Sequence, residues 1–382
     1  TSSTMIQHIL NVSGKECGLI GTMGVFYLDK FYHTMNTSPE SYDVFKYMRE
    51  MLDHGVHYLV MEVSSQSLKL KRWVNVIFDY AIFTNLSLDH VGTDEHESFD
   101  DYKYCKSLLF KQCKVGIFNL DSEYATDMME GTICDKYYYG KDCRANYRLV
   151  ECANVIKNGF TGIEMKTDGK IQDTFMVSIL GTFTAYNALA AISVCDLLGI
   201  SISDMKRALE VVKVKGRMES VSVSSKFSVV IDYAYQGIAM ENVLKTVRES
   251  KPSRIVTVFG CGGNRSRQRR FDCGEISGKY SDFSILTADN PRYEDNSKII
   301  EDILVGMKKT DGKYIIIDNR KEAIRYSIEN AKDGDVILIL GKGHEDYQEI
   351  NGVRYPFDER VIIKEIIDEM SEEKKKKLGI IL

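Results

Sequence analysis

The feature that most constrains this chain is a rhythm of short apolar runs, each ending in a polar or glycine-rich turn and followed by a helical pattern. From Cys17 to about Val150 the runs CGLIGTMGVF, YLVMEV, FDYAIFTNL and VGIFNL alternate with stretches such as SPESYDVFKYMREMLDHG. Strands covered by helices on both faces read as unbroken apolar runs, so this alternation predicts an α/β unit built on a parallel sheet. A second series, FSVVIDYA, RIVTVFGCGG, FSILTADN, KYIIID and DVILILGKG, begins after VKVKGRMESV and predicts a second, doubly wound domain. Between them, from about Tyr147 to Ile179, short polar and apolar alternations with Gly turns (NGFTGIEMKTDGK) predict a small antiparallel insertion. The helical TAYNALAAISVCDLLGI follows, closed by Gly199. The expected division is 1–214 and 215–382.

With 382 residues, 44% hydrophobic and 27% charged, the chain can build two or three cores. A formal net charge of -5 gives no global basic field for nucleic acid, and only the local cluster Arg265 to Arg270 runs the other way. The nine cysteines form no C-x-x-C pair and no regular spacing, which speaks against a disulfide framework or a structural zinc site and for a reducing cytoplasm. No apolar run approaches the roughly 18 to 20 residues that span a bilayer, and no signal segment opens the chain. A soluble, unexported protein is expected. The chain starts at Thr1, and TSSTMIQHIL reads as a helix already under way, so a fragment is expected. The Lys run of SEEKKKKLGIIL reads as a solvated helix end.

Open α/β sheets bind ligands at the carboxyl ends of their strands, and the chemistry-bearing residues collect there. Glu62 follows YLVM, while Asp89 and His90 follow AIFTNLSL; an acid and an imidazole at strand ends can hold a divalent cation. The same residues also read as a helix cap and a surface loop. Asn36, Thr37 and Ser38 precede Pro39 and a helical stretch, which reads Ser38 as an N-cap. Lys106 in YKYCKSLLF reads, on composition, as a solvated helix-face lysine. FGCGGNR sets glycines and an Arg after a buried strand, where backbone N–H groups can approach an anion. TADNPR and GKGHEDYQ place Asp289, Asn290, Arg292, His344 and Glu345 at further strand ends. Arg grips a carboxylate bidentately and Glu accepts from an ammonium, so the set suits a zwitterionic amino acid; a salt-bridged turn is the other reading.

Taken together and in this order, GLIGTMG, NTSPES, MEVSSQSL, FTNLSLDH, GRME, IDYA, FGCGGNR, ADNPR and GKGHEDYQ resemble the Mur ligases over nearly the whole chain. The likeness is to the branch that adds meso-diaminopimelate to UDP-N-acetylmuramoyl-L-Ala-D-Glu in peptidoglycan precursor synthesis. The resemblance implies a central P-loop-type ATPase domain followed by a Rossmann-like C-terminal domain that receives the amino acid. It implies ATP and Mg²⁺, an acyl phosphate, a cytoplasmic enzyme working as a monomer, and neither membrane nor nucleic acid as partner. In that family a GTNGKT P-loop precedes these motifs, so the chain is expected to begin at its last Thr and to be inactive alone. Thr1 is then the metal-binding hydroxyl. Glu62 and His90 become Mg²⁺ ligands, and Lys106 matches a carbamylated lysine that holds a second Mg²⁺. Thr1, Asn187, Arg217 and Asp232 match nucleotide-binding positions. Asn36, Thr37, Ser65 and Arg72 match those that hold the UDP-muramoyl dipeptide, and Arg265, Asp289, Asn290, Arg292, Gly341 and Glu345 the diaminopimelate pocket.

The sequence departs from the family pattern in several places. Tyr233 to Gly237 (YAYQG) stand where relatives have YAHTP, which removes a nucleotide-side His and a turn Pro. Asn264 and Ser266 replace aspartates, Phe271 a Pro, Gln66 a His and Thr184 an Asn. The basic run from Arg265 to Arg270 is expected to face phosphate or substrate. Two other readings stay open: a diverged paralogue with another amino-acid substrate, and a ligand-binding pseudoenzyme. The folylpolyglutamate synthases share the ATPase plan but are not expected to carry DNPR with GKGHEDYQ.

Overall fold

The computed structural model describes residues 1–86, 96–157 and 160–381, with the backbone alone at 156 and 157. It comprises two compact units: Thr1–Ala153, Glu164–Val177 and Phe183–Val212 form the first, and Asn154–Ile163, Ser178–Thr182 and Lys213–Leu382 the second.

The first unit opens with helix α1 (Ser2–Val12), which buries Met5, Ile6, Ile9 and Leu10, the spacing of a single apolar stripe. Then come β1 (Cys17–Gly21), β2 (Gly24–Tyr27), β3 (Lys30–Tyr32), α2 (Ser41–Asp53), β4 (Tyr58–Met61) and α3 (Ser65–Lys69). These strands form a sheet in the order β3-β2-β1-β4, in which β1 pairs antiparallel with β2 and parallel with β4. Its core holds Ile20, Val25, Tyr27, Val44, Met51 and Trp73. The chain continues through β5 (Phe78–Phe83), α4 (Phe99–Ser107), β6 (Cys113–Asn119), α5 (Ala125–Met129), β7 (Asp135–Gly140), β8 (Tyr147–Lys157), β9 (Phe160–Gly169) and β10 (Asp173–Val177). Their sheet has the order β10-β9-β8-β7-β6-β5, parallel from β5 to β8. Helices α6 (Thr182–Leu197) and α7 (Ile202–Val211) follow.

The single parallel sheet expected from Cys17 onward is therefore two sheets among the described residues. The run CGLIGTMGVF holds two strands, folded back through Thr22 and Met23, with Gly24 at φ +120 supplying a backbone that other residues rarely adopt. The expected antiparallel insertion joins this second sheet. Strands β8 to β10 are successive neighbours with links too short for a crossover, so they extend the edge of the parallel sheet.

Ser38 is not the helix cap that its position suggests. The N-cap of α2 is Glu40, whose side chain makes no capping bond. The Ser38 hydroxyl instead donates to the Glu62 carbonyl at 2.8 Å and accepts from the Ser64 N–H at 2.9 Å. It thus fixes the backbone on both sides of Val63, and it is 1% exposed. Ser38→Ala would leave both backbone groups unpaired, so a loss of about 1–3 kcal/mol is expected, read as a lower urea midpoint.

The second unit contains β11 (Glu219–Val221), β12 (Ser228–Asp232), α8 (Gly237–Glu249), β13 (Arg254–Phe259), α9 (Arg267–Tyr280), β14 (Phe283–Leu286), α10 (Asn296–Met307), β15 (Tyr314–Ile316), α11 (Arg320–Glu329) and β16 (Asp335–Leu340). The hairpin β17 (Tyr347–Ile350) and β18 (Val353–Pro356) and helices α12 (Glu359–Asp368) and α13 (Glu372–Leu378) complete it. The sheet order is β11-β12-β16-β13-β14-β15, parallel throughout except for β11. All five expected strands are present. The last of them, β16, is buried along its whole length and slots between β12 and β13. That insertion brings the turns after β16, β13 and β14 side by side. The Lys run lies in α13, where Lys375 pairs with Glu372 and Lys374 with Glu329. All nine cysteines are free. Among the described residues no helix is long and apolar enough to cross a membrane.

Candidate functional site

In the first unit, Glu62 stands one residue beyond β4. One carboxylate oxygen accepts from the Ser3 hydroxyl at 2.8 Å, and the other from the backbone N–H and hydroxyl of Thr22, both at 2.8 Å. Burial alone would raise its pKa, but the Thr22 N–H and the two hydroxyls outweigh it and hold the carboxyl below the usual range. Glu62 is thus an ionised, hard oxygen donor, the kind of group that a magnesium ion takes. It is not a helix cap: Ser64 caps α3, accepting from the Ser67 N–H at 3.2 Å. Asp89 and His90 lie outside the described residues. Thr1 is the N-cap residue of α1, and Asn187 on α6 accepts from the neighbouring Ser2 hydroxyl at 2.9 Å.

Thr37 stands beside Thr22, with their hydroxyls 3.2 Å apart, whereas Asn36 is exposed. Arg72 is mostly buried: it donates to the Ser38 carbonyl at 2.8 Å and pairs with Glu40, while its buried Nε has no protein partner. Lys106 sits in α4 over the Tyr102 ring, 5.7 Å from its centroid, and burial pushes its ammonium below the ordinary lysine range. It is not the solvated lysine that composition suggests.

One constellation in this unit is absent from the sequence reading. His96 places one ring nitrogen 2.8 Å from the Ser65 hydroxyl and the other 3.0 Å from Asp101, and Lys69 donates to the same Asp101 oxygen at 2.7 Å. Lys69 and then His96 hold the Asp101 carboxyl well below its usual range. Cys105 adds a third potential metal ligand within 4.8 Å of the others. Burial pushes its thiol up to about 11, however, and a cation already occupies the carboxylate, so these groups form a hydrogen-bond chain and not a metal centre.

In the second unit, the turns after β13, β14 and β16 converge. The Asn290 amide donates to Glu345 at 2.8 Å, and its oxygen accepts from Lys342 and from the Glu349 N–H, both at 2.9 Å. Lys342, fully buried, also donates to Glu345 at 3.0 Å. Asp289 caps the Asn290 N–H with one oxygen at 2.7 Å, and its other oxygen is buried without a protein partner. Arg292 donates to the Gly263 carbonyl at 2.8 Å and lies 3.5 Å from Glu349. Its φ of +53 is unusual for a side-chain-bearing residue; main-chain bonds to Glu349 and Asn351 at the β17–β18 hairpin hold it there. At Gly341, φ is +111 and a Cβ would fall 2.6 Å from the unpartnered Asp289 oxygen. Glycine is required there to keep that oxygen clear.

The expected amino-acid residues Asp289, Asn290, Arg292, Gly341 and Glu345 therefore form one cluster. Arg265 is exposed and makes no ion pair among the described residues. Two arginines of the basic run are neutralised within the fold. Arg267 pairs with Asp302 at 2.5 Å, and the buried Arg270 pairs with Glu294 at 2.8 Å and Asp302 at 3.1 Å, because a buried guanidinium must be compensated. Asp232 is buried and accepts from the backbone N–H groups of Met218 at 2.7 Å and Ala234 at 2.8 Å; burial nonetheless raises its pKa. Arg217 is exposed over the Tyr233 ring, and His344 lies 4.6 Å from the same ring with its pKa lowered by burial. Lys342 and Glu349 went unremarked in the sequence, although GKGHEDYQEI contains both.

Both units are α/β, the second with a Rossmann-like sheet, and each gathers polar side chains at the carboxyl ends of its strands. Residues 1–195 match the family model described as the Mur ligase middle domain, and residues 216–343 the one described as the Mur ligase glutamate ligase domain. A relative from Caldanaerobacter subterraneus subsp. tengcongensis, named UDP-N-acetylmuramoyl-L-alanyl-D-glutamate--2,6-diaminopimelate ligase, is 44% identical over 370 residues, 96% of this chain and 75% of its own. A solved structure of the ligase of that same name superposes with a TM-score of 0.75 at 28% identity, covering 96% of this chain and 76% of the other. A folylpolyglutamate synthase from Thermotoga maritima shares the fold, with a TM-score of 0.65 at 15% identity over 88% of this chain and 82% of its own. This chain belongs to the Mur ligase family.

Proposed function

We propose that this protein joins meso-diaminopimelate to UDP-N-acetylmuramoyl-L-Ala-D-Glu at the expense of ATP, a step of peptidoglycan precursor synthesis, as a cytoplasmic monomer. ATP phosphorylates the substrate carboxylate, and an amine of the amino acid attacks the acyl phosphate through a tetrahedral intermediate. The observation that carries this reading is the cluster of Asp289, Asn290, Arg292 and Glu345. Meso-diaminopimelate has two carboxylates and two ammonium groups, and the cluster offers a guanidinium, an amide and two acids to meet them. The activity for which the 44%-identical relative is named supports the same choice.

Asn36, Thr37, Ser65 and Arg72 bind the muramoyl dipeptide in this reading, the free Arg72 Nε being a donor suited to a carboxylate or phosphate oxygen. Thr1, Asn187, Arg217 and Asp232 serve ATP, and Arg265 extends the amino-acid pocket. Mg²⁺, which neutralises phosphate charge when bound, would take Thr1, Glu62 and His90 as ligands, and the carbamate of Lys106 would hold a second ion. Lys106 is suited to that modification because its lowered pKa leaves a larger share of neutral amine to attack carbon dioxide, with loss of a proton.

ADP release is the test, with the dipeptide nucleotide, ATP and Mg²⁺ present. The expected result is release that depends on meso-diaminopimelate and is near background with lysine or with no amino acid. Equal release with lysine would move the reading to a paralogue, and no release to a pseudoenzyme. A second expectation concerns Gly263, where a Cβ would fall 1.9 Å from the Pro291 carbonyl oxygen. Gly263→Ala must push the Asp289 to Arg292 turn aside, and a displacement on the order of 1 Å costs about 10²-fold in kcat/KM for the amino acid.

A further inference from the structure

We propose that His96 and Asp101 are positioning residues that fix the Ser65 hydroxyl as a donor to His96, so that toward the bound substrate Ser65 acts only as a hydrogen-bond acceptor, taking an amide N–H of the peptide. The proposal rests on the reading that Ser65 lines the dipeptide site. Neither His96 nor Asp101 is among the residues that the motif resemblance singles out.

The argument is a proton count along the chain of groups. Asp101 is ionised and can only accept, and its Oδ2 takes the Lys69 ammonium at 2.7 Å and His96 Nδ1 at 3.0 Å. Nδ1 must therefore carry the proton. In the Nδ1–H tautomer Nε2 is left as an acceptor, and it lies 2.8 Å from the Ser65 oxygen. The one Ser65 proton is then given to His96, and what the hydroxyl retains is lone pairs.

Ser65 has little freedom to do otherwise. It is 6% exposed and His96 1% exposed, so an unmade bond between them would leave a buried polar atom uncompensated. Its backbone is pinned as the first residue of α3: the preceding Ser64 donates its N–H to Ser38 and caps the Ser67 N–H. The Trp73 indole in turn donates to the Ser67 hydroxyl at 2.7 Å.

The test uses the full-length protein and two readouts. Nitrogen-15 NMR of the histidine rings should show His96 as the Nδ1–H tautomer in the wild type. Asp101→Asn can present an amide N–H to Nδ1, which turns the ring to the Nε2–H tautomer; that N–H then occupies a Ser65 lone pair and reverses the hydroxyl. KM for the dipeptide nucleotide should rise about tenfold, the worth of one hydrogen bond, with the rise falling on KM and not on kcat. Ser65→Ala should give a similar rise, and the double variant should be no worse than either single one.

An Nε2–H or imidazolium signature in the wild type overturns the proposal, and that measurement needs no variant to fold. Full additivity in the double variant also overturns it, since a merely structural Asp101 would act independently of Ser65. If the wild type turns over the nucleotide but Asp101→Asn leaves its KM unchanged, this inference falls while the ligase reading stands. If the wild type neither binds nor turns over the nucleotide, both fall.

Discussion

Arg292→Lys is expected to lower kcat/KM for meso-diaminopimelate on the order of 10²–10³-fold while leaving KM for ATP near its starting value. The substitution keeps the charge and removes the fork. In the structure one Arg292 nitrogen is spent on the Gly263 carbonyl and another faces Glu349, so the remaining donors are the ones available to a ligand carboxylate. A lysine ammonium cannot satisfy Gly263 and grip a carboxylate in two places at once. Discrimination should suffer with affinity. In the proposed reading the wild-type guanidinium penalises a substrate that lacks the distal carboxylate, because the donors not spent on Gly263 and Glu349 would be left without a partner; the shorter, mobile ammonium can turn toward Glu349 instead. Steady-state ADP release with meso-diaminopimelate and with lysine checks both parts, and a variant that still rejects lysine as sharply as the wild type would remove Arg292 from the specificity site.

The second unit was legible because its strands carry their own signature. VVI, IVTVF and DVILIL are apolar without alternation, as strands covered on both faces must be, and their carboxyl-end turns are where polar residues gather. The amino-acid cluster followed from that rule and from the motif resemblance. What periodicity does not encode is pairing. CGLIGTMGVF looks like one strand and is two, because the turn at Thr22 and Met23 is marked only by glycines that also suit a phosphate loop. The Ser38 position carried a start signal that Glu40 uses instead, since the buried serine hydroxyl finds a better partner in the backbone around Val63. Charge runs hide in the same way: Arg267 and Arg270 belong to a basic run expected to face phosphate or substrate, and Asp302 and Glu294, well over twenty residues on, neutralise both within the fold. The hairpin that holds Arg292 was announced by Asn351-Gly352, an Asn-Gly turn with both residues at positive φ, and it passed unnoticed beside the stronger GKGHEDYQ motif.

Arg320→Met is expected to cost about 3–5 kcal/mol of stability, the largest effect of any single change considered, because it strands a buried charge. Arg320 and Glu359 are both fully buried, 2.7 Å apart through Glu359 Oε1, and the other Glu359 oxygen has no hydrogen-bond partner. The same guanidinium donates to the carbonyls of Ala288 at 3.2 Å and Leu340 at 2.8 Å, the residues that lead directly into Asp289 and Gly341. It therefore ties the two turns of the amino-acid pocket to α12. Burial already raises the Glu359 pKa in spite of Arg320, and without the arginine it must rise further. An acid whose folded pKa lies above its unfolded value is least harmful below the unfolded value, near 4, and costs more as pH climbs toward the folded one. The urea midpoint of Arg320→Met should accordingly fall further behind the wild type at pH 7 than at pH 5, and Arg320→Met with Glu359→Leu should recover much of the loss. If the double variant were as unstable as the single, the pair would be holding the two turns through the carbonyl bonds of Arg320, and the uncompensated charge would not be the source of the cost.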